Sequence, residues 1–372
     1  MEKSVRAQEV EAKISTVRKL IARDKLAGIL ITQKYNLCWL TAGASNQVLY
    51  DSQNSLIGIL ITPERSVVIA ENGDLDRLME EEFAHCPFEY DRIWWFSGGA
   101  APRAAALAKG RIGVDAPIGG IPDQVIVDDS LAEHRQVLLP SEADRLRSYG
   151  REAAAILTDV VRRAEPGVRE CDLAGELSRE LLRWGFAVAV ILLGGDERSV
   201  KYRHQVVSEK RIRRYFSFCG VGKKGGLTFP ITRLVSFGPP PAELADGHRR
   251  IETVFVYLNS LARVGATLGA IYAGLPDAFA AAGLDREEWR RHSIGGTMGY
   301  HPREQVVTEG SSYALRAGNV IGWNPSVPGA MAEDVYYLTA KGLEFVTWDA
   351  RWPGLELKAN DLTQVRPAIL EL

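Results

Sequence analysis

The sequence predicts two consecutive domains of mixed α/β character, and three observations carry that expectation. The chain has 372 residues, more than one typical domain holds. Its first third alternates helix-type and strand-type apolar patterns. The remainder contains a weak internal repeat of turn, amphipathic helix and glycine stop.

Residues 7–25 place Val10, Ile14, Val17, Leu20 and Ile21 at helical spacing. Gly28 to Ile31, Leu56 to Ile61 and Val67 to Ala70 read as short strands, the last two separated by a turn at Pro63-Glu64-Arg65. Arg111 to Asp115 is a further buried-strand candidate, which closes an α/β domain over residues 1–139. Pro140-Ser141-Glu142 then opens a long helix and a second domain, 140–372, with Ser141 as N-cap and Glu142 in the first turn. In this second part, Ala164 to Val168 precedes a helical segment from Asp172 to Trp184 that stops at Gly185. Arg263 to Leu268 precedes another, Gly269 to Ala282, that stops at Gly283. Two related halves with a site between them are expected.

A hydrophobic share of 46% with 25% charged residues predicts a sizeable buried core. A net charge of -2 argues against a nucleic-acid partner. The short basic run Lys210 to Arg214 reads as a solvated turn. Cys38, Cys86, Cys171 and Cys219 form no CxxC pair, a pattern that suits reduced thiols in the cytoplasm. Met1 to Val10 has no apolar core of a signal peptide. No apolar run reaches the roughly 18 residues that span a bilayer. A cytoplasmic protein without a membrane partner is expected.

Three segments carry the candidate chemistry. His204 follows Gly194-Gly195-Asp196, whereas His85, His134 and His248 sit among polar neighbours without a motif. His292 and His301 lie in the segment 292–304, where Gly295, Gly296, Gly299 and Pro302 predict an irregular loop able to approach a ligand closely. The third segment runs from Val320 through Asn324-Pro325 to the carboxylate pair Glu333-Asp334 at the entry of a β-type run. Either both acids are buried, which is unusual, or one lies on a solvated edge. No GxGxxG, P-loop, HExxH or GxSxG pattern is present.

In this order, the segments resemble the catalytic half of the creatinase, prolidase and methionine-aminopeptidase family. The first third, including Tyr35-Asn36-Leu37-Cys38-Trp39-Leu40-Thr41, resembles the N-terminal domain of its creatinase-type members. The likeness covers roughly residues 12–350 and implies a creatinase-type α/β domain followed by a pita-bread domain of two pseudo-symmetric halves. Metal-dependent members bind two metals through two Asp, one His and two Glu. Carried onto this sequence, Cys219 and Pro230 stand at the Asp positions, His292 at the His, Asn324 at the first Glu and Glu333 at the second. The resemblance therefore implies a branch from which most metal ligands are missing. A binuclear site needs carboxylates to neutralise its charge, so no cofactor is expected here. A single zinc on Cys219, His292 and Glu333 remains chemically conceivable.

Creatinase-like members hydrolyse a C–N bond without metal and use an extra histidine for proton transfer. His204 matches that residue, and an imidazole near its ordinary pKa of about 6.5 suits the task. The expected catalytic set is His204, His292 and Glu333, with Asn324, Tyr300, Arg303 and Cys219 binding a small polar substrate; Arg303 would pair with a carboxylate. Two alternatives stand beside it: a non-catalytic binding or scaffold protein of the same fold, and an Xaa-Pro aminopeptidase or dipeptidase with a rearranged metal site. The resemblance also implies a homodimer.

Overall fold

A computed structural model describes residues 3–44 and 48–372. The chain forms two compact units: Met1–Glu142 with Gly225–Leu227, and Ala143–Lys224 with Thr228–Leu372. Among the described residues no helix is long and apolar enough to cross a membrane.

The first unit is built on a six-stranded mixed sheet. Its order is Glu89–Ile93, Ser66–Glu71, Asn54–Ile61, Gly28–Gln33, Ile112–Val114 and Val125–Ile126. The predicted strands are present, and Gly28–Gln33 is buried along its whole length, as a continuous apolar run requires. The helix Lys3–Arg23 presents Val10, Ile14, Val17, Leu20 and Ile21 to the core. Asn36 of the Tyr35–Thr41 segment donates Nδ2 to the carboxylates of buried Asp115 and half-buried Asp128, and Asp115 also accepts the backbone N–H groups of Thr32 and Gln33. Ser141 is not an N-cap. Helix Pro140–Val161 starts with Pro140 itself, which needs no N–H there. Ser141 Oγ instead donates to Glu9 Oε2, while Glu142 reaches back to the Leu139 N–H at 2.8 Å.

The second unit contains two larger sheets and two two-stranded ones. The first has the order Leu370–Glu371, Leu227–Ser236, Tyr215–Lys224, Ala187–Gly195; the second, Gln305–Val306, Gly295–Met298, Val320–Trp323, Asp334–Thr339, Gly342–Phe345. An isolated antiparallel bridge joins Thr232 to Glu333, with the Thr232 N–H donating to the Glu333 carbonyl at 2.9 Å.

The internal repeat is present in the hydrogen bonding. Gly167 and Gly265 both have φ near +90° (94° and 87°), and Gly185 and Gly283 match at 75° and 71°. Gly167 N donates to Ile212 O, as Gly265 N does to Leu315 O; Glu170 N to Lys210 O, as Leu268 N to Tyr313 O; Cys171 N to Ser208 O, as Gly269 N to Ser311 O. Arg169 bridges Arg211 as Thr267 bridges Ala314. Glycine is the residue that adopts these left-handed turns without steric cost. The helices of the two halves differ: the predicted helix 269–282 breaks into Leu268–Ala273 and Leu275–Ala281. Pro276 lacks the N–H that a helix interior needs and sits at the start of the second piece.

The predicted irregular loop at 292–304 is partly wrong. Gly295–Met298 is a buried strand in the middle of the five-stranded sheet, paired on both sides. Its glycines serve sheet packing: a Cβ on Gly295 (φ 106°) would stand 2.1 Å from the Gly322 carbonyl, and one on Gly296 1.9 Å from that of Gln305.

Beneath this sheet lies a buried charge network. Asp334, fully enclosed, accepts both terminal nitrogens of Arg233 at 3.1 and 2.9 Å, Arg366 Nη2 at 2.9 Å and Thr347 Oγ1 at 2.8 Å. Arg366 also donates to Glu252 at 2.6 Å and to the Tyr336 hydroxyl at 2.8 Å, and its guanidinium lies 3.7 Å from the centre of the Phe255 ring. Two cations and two anions balance, so no buried charge is left alone. Removing one charge should leave its arginines unneutralised: Asp334→Asn is expected to lower stability by about 3–5 kcal/mol, read as a lower urea midpoint at unchanged m-value.

Candidate active site

Consecutive residues of a strand point to opposite faces, and Glu333-Asp334 follows that rule. Asp334 enters the charge network, while Glu333 turns into a cavity of about 300 Å³ within the second unit. Both acids are buried, at 6% and 0% exposure, so neither lies on a solvated edge. The wall combines His204, Cys219, Thr228, Arg303, Asn324 and Glu333 with an apolar surface from Val190, Leu192, Val221, Pro230, Met298, Pro302 and Met331.

Glu333 is the carboxylate of this wall. Its Oε2 accepts Cys219 Sγ at 3.2 Å and Thr232 Oγ1 at 3.3 Å, and its Oε1 faces Arg303 Nη2 at 3.6 Å. Burial pushes the Glu333 carboxyl above its ordinary range, against the pull of the Arg303 charge. Burial and then the neighbouring Glu333 raise the Cys219 thiol well above its usual value, so Cys219 is a neutral donor here.

His204 and His292 meet across the segments that carry them, Nε2 to Nε2 at 3.2 Å, with the rings edge to face. The backbone around each is pinned. Glu170, at the start of its helix, accepts Gly195 N and Arg198 Nε with one oxygen and Ser208 N and Oγ with the other, closing the stretch that contains His204. Arg203 Nη1 donates to Ser326 O at 2.7 Å and Ser326 Oγ at 2.6 Å, and Arg203 also pairs with Glu288. His292 Nδ1 faces the Asn324 carbonyl at 3.2 Å and Ser326 Oγ at 3.1 Å. Burial, then the neighbouring His204, lowers the His292 pKa.

Two enclosed atoms of the wall, Asn324 Oδ1 and Thr228 Oγ1, have no hydrogen-bond partner. An orphaned buried polar atom costs about 1–3 kcal/mol, a cost that an occupant can relieve.

The structure thus brings together His204, His292, Glu333, Asn324, Arg303 and Cys219. Tyr300 is elsewhere. It is fully buried, its hydroxyl accepts Arg145 Nη2 at 3.3 Å, and it lies outside the cavity wall because the strand ends at Met298 and the backbone turns. Sequence reasoning missed Thr228, Thr232, Arg203 and Ser326. The first two were within reach: Thr228, Pro230 and Thr232 alternate along one strand, so the face that carries Pro230 carries them too.

As for metal donors, the positions carried over from the family hold Cys219, His292 and Glu333, with Asn324 adding a neutral amide oxygen. Among the described residues, no group of three or more His, Cys, Asp or Glu side chains is arranged to hold a metal ion.

The sequence profile of metallopeptidase family M24 matches residues 144–346, more than half of the chain. This chain belongs to metallopeptidase family M24. The family M24 chain is similar over both its units to solved structures. The prolidase from Pyrococcus horikoshii aligns at a TM-score of 0.76 with 19% identity, over 91% of this chain and 99% of that one. Dipeptidase PepE from Mycobacterium ulcerans aligns at 0.74 with 20% identity, over 98% of each chain. The N-terminal domain of FACT complex subunit SPT16 from Eremothecium gossypii aligns at 0.66 with 16% identity, over 91% of this chain and 96% of that one. At these identities the likeness shows the fold, a creatinase-type N-terminal domain followed by a pita-bread domain. No curated protein matches the sequence.

The lowered His292 pKa has a signed consequence. A histidine whose folded-state pKa lies below its unfolded value of about 6.5 contributes stability that is whole above pH 6.5 and is lost as pH falls through the folded value. NMR titration should place His292 below 6.5, and His204→Ala should move it upward. His292→Gln should shrink, without abolishing, the loss of stability on the acid side, because the buried His248 is lowered in the same direction.

Proposed function

We propose that this family M24 member hydrolyses a C–N bond in a small polar molecule, using a histidine base and no two-metal centre. The observation that carries the reading is the contact between His204 and His292 at a cavity whose carboxylate already faces an internal cation, Arg303.

The chemistry of the donor set supports the metal-independent part. A two-metal centre requires several anionic ligands. Pro230 has no side-chain donor, Asn324 offers a neutral amide, and Cys219 offers a single sulfur in place of a carboxylate. Glu333, the remaining carboxylate, is occupied by Cys219, Thr232 and Arg303. These donors do not fit a two-metal centre.

The proton chemistry follows from the partners of each ring nitrogen. In this reading the proton of His292 sits on Nδ1 and is donated to the Asn324 carbonyl at 3.2 Å. His292 Nε2 is then an acceptor for His204 Nε2–H, which leaves the lone pair on His204 Nδ1. That nitrogen takes a proton from water as the water oxygen bonds to the carbon of the C–N bond. It returns the proton to the nitrogen as the bond breaks, so carbon gains OH and nitrogen gains H. The lowered pKa of His292 keeps it neutral near pH 7, as an acceptor must be. The family resemblance supports a homodimeric, cytoplasmic enzyme within the same proposal.

Purified protein should be assayed by mass spectrometry against Xaa-Pro dipeptides, N-acyl amino acids and N-methyl guanidino acids, before and after EDTA dialysis. Turnover should survive the chelator and fall by about 10²–10⁴-fold in His204→Gln. Activity that returns only with added divalent metal, or that ignores His204→Gln, overturns the proposal. Absence of turnover across the panel favours a binding protein of the same fold.

A further inference from the structure

His204 is the exposed member of the histidine pair, and an exposed side chain keeps its rotamer freedom unless something holds it. The hold comes from its neighbours in sequence. Gln205 is buried, and its amide donates back to the Ser199 and Tyr202 carbonyls. Arg203 reaches to other segments. Its Nη1 donates to the carbonyl and the hydroxyl of Ser326 at 2.7 and 2.6 Å, and its Nη2 pairs with Glu288. The Arg203 and Glu288 side chains are 19% and 12% exposed, so water screens their attraction little.

Both partners belong to the surroundings of His292. Glu288 opens the short helix Glu288–Arg291, which leads directly into that histidine. Ser326 Oγ, which accepts the Arg203 N–H, also touches His292 Nδ1 at 3.1 Å. The contacts therefore close a ring. It runs from Arg203 to Ser326, from Ser326 to His292, from His292 Nε2 to His204 Nε2 at 3.2 Å, and through the peptide bond back to Arg203. A guanidinium fixes direction as well as distance, because its donors lie in one rigid plane. A lysine ammonium turns freely on a flexible stem and has no such plane.

We propose that Arg203 is a positioning residue: through Ser326 and Glu288 it holds the exposed ring of His204 against His292 before any substrate enters. Arg203 itself touches no reacting atom and acts through His204. The effect on rate rests on the hydrolase reading, whereas the contact between the rings does not, so the two are tested separately.

In full-length protein labelled on histidine, NMR should show a cross-peak between ring protons of His204 and His292, whose ring centres stand 5.2 Å apart. Arg203→Met should abolish it, Arg203→Lys should weaken it, and Ser326→Ala, which keeps the backbone acceptor, should weaken it less. Arg203→Ala vacates space that opens to solvent, so ethylguanidinium should restore the cross-peak and ethylammonium should not. For any substrate turned over, Arg203→Met should lower kcat by about 10–100-fold and leave KM within about twofold. On a His204→Gln background the same change should cost less than about twofold, because the ring it acts through is already gone. If Arg203→Met does not fold, Ser326→Ala and Glu288→Ala, each removing one hold, carry the same readouts. No cross-peak in the unaltered protein, a cross-peak indifferent to all these changes, or a loss that ethylguanidinium does not restore overturns the proposal. A cross-peak that depends on Arg203 in a protein without turnover sustains it and overturns only the hydrolase reading.

Discussion

Asp334 is the point on which the second unit turns. A carboxylate taken out of water is tolerable only when its charge is matched and its oxygens are satisfied. Here Arg233 comes from one sheet, Arg366 from the strand Leu362–Pro367 and Thr347 from the segment after the second sheet. These elements are distant in sequence, and the same anion holds them together. Because the strand alternates, fixing Asp334 inward fixes Glu333 toward the cavity, with the Thr232–Glu333 bridge closing the two sheets at that residue. The acid of the candidate site is therefore placed by a charge network that faces away from it.

The halves of this unit are related by more than shape. The same turn, with the same glycine conformation and the same three backbone hydrogen bonds, precedes a helix in each. In the first half that turn ends at Glu170, whose carboxylate ties down both ends of the stretch that contains His204. In the second half the corresponding position is Leu268, which packs into the core. One copy of the repeat thus serves the site and the other serves packing. The fold alone assigns neither role.

The cavity sets one carboxylate, Glu333, beside a thiol and a guanidinium. Four carboxylates around two metal ions neutralise one another. On the correspondence that the family resemblance implies, Cys219, Pro230 and Asn324 stand at three of those positions; a guanidinium faces Glu333. Burial, then the neighbouring Glu333, raises the Cys219 thiol, because the enclosure disfavours a second negative charge.

Much of this was legible in the residues themselves. Apolar spacing determined the first helix and the strands of the first unit, because periodicity reports which face is buried. The glycines at 167, 185, 265 and 283 determined the repeat, because few other residues adopt those turns. The order of motifs pointed to the family and to His204, His292 and Glu333. Only the tertiary structure decided that Gly295–Met298 is a strand, since the carbonyls crowding Gly295 and Gly296 come from residues far along the chain. It alone decided that Arg303 faces Glu333, that Tyr300 turns to Arg145, that two histidines 88 residues apart touch, and that Asn324 and Thr228 are left unpaired. Each of those depends on which distant groups share one enclosure, and local sequence carries no record of distance in space.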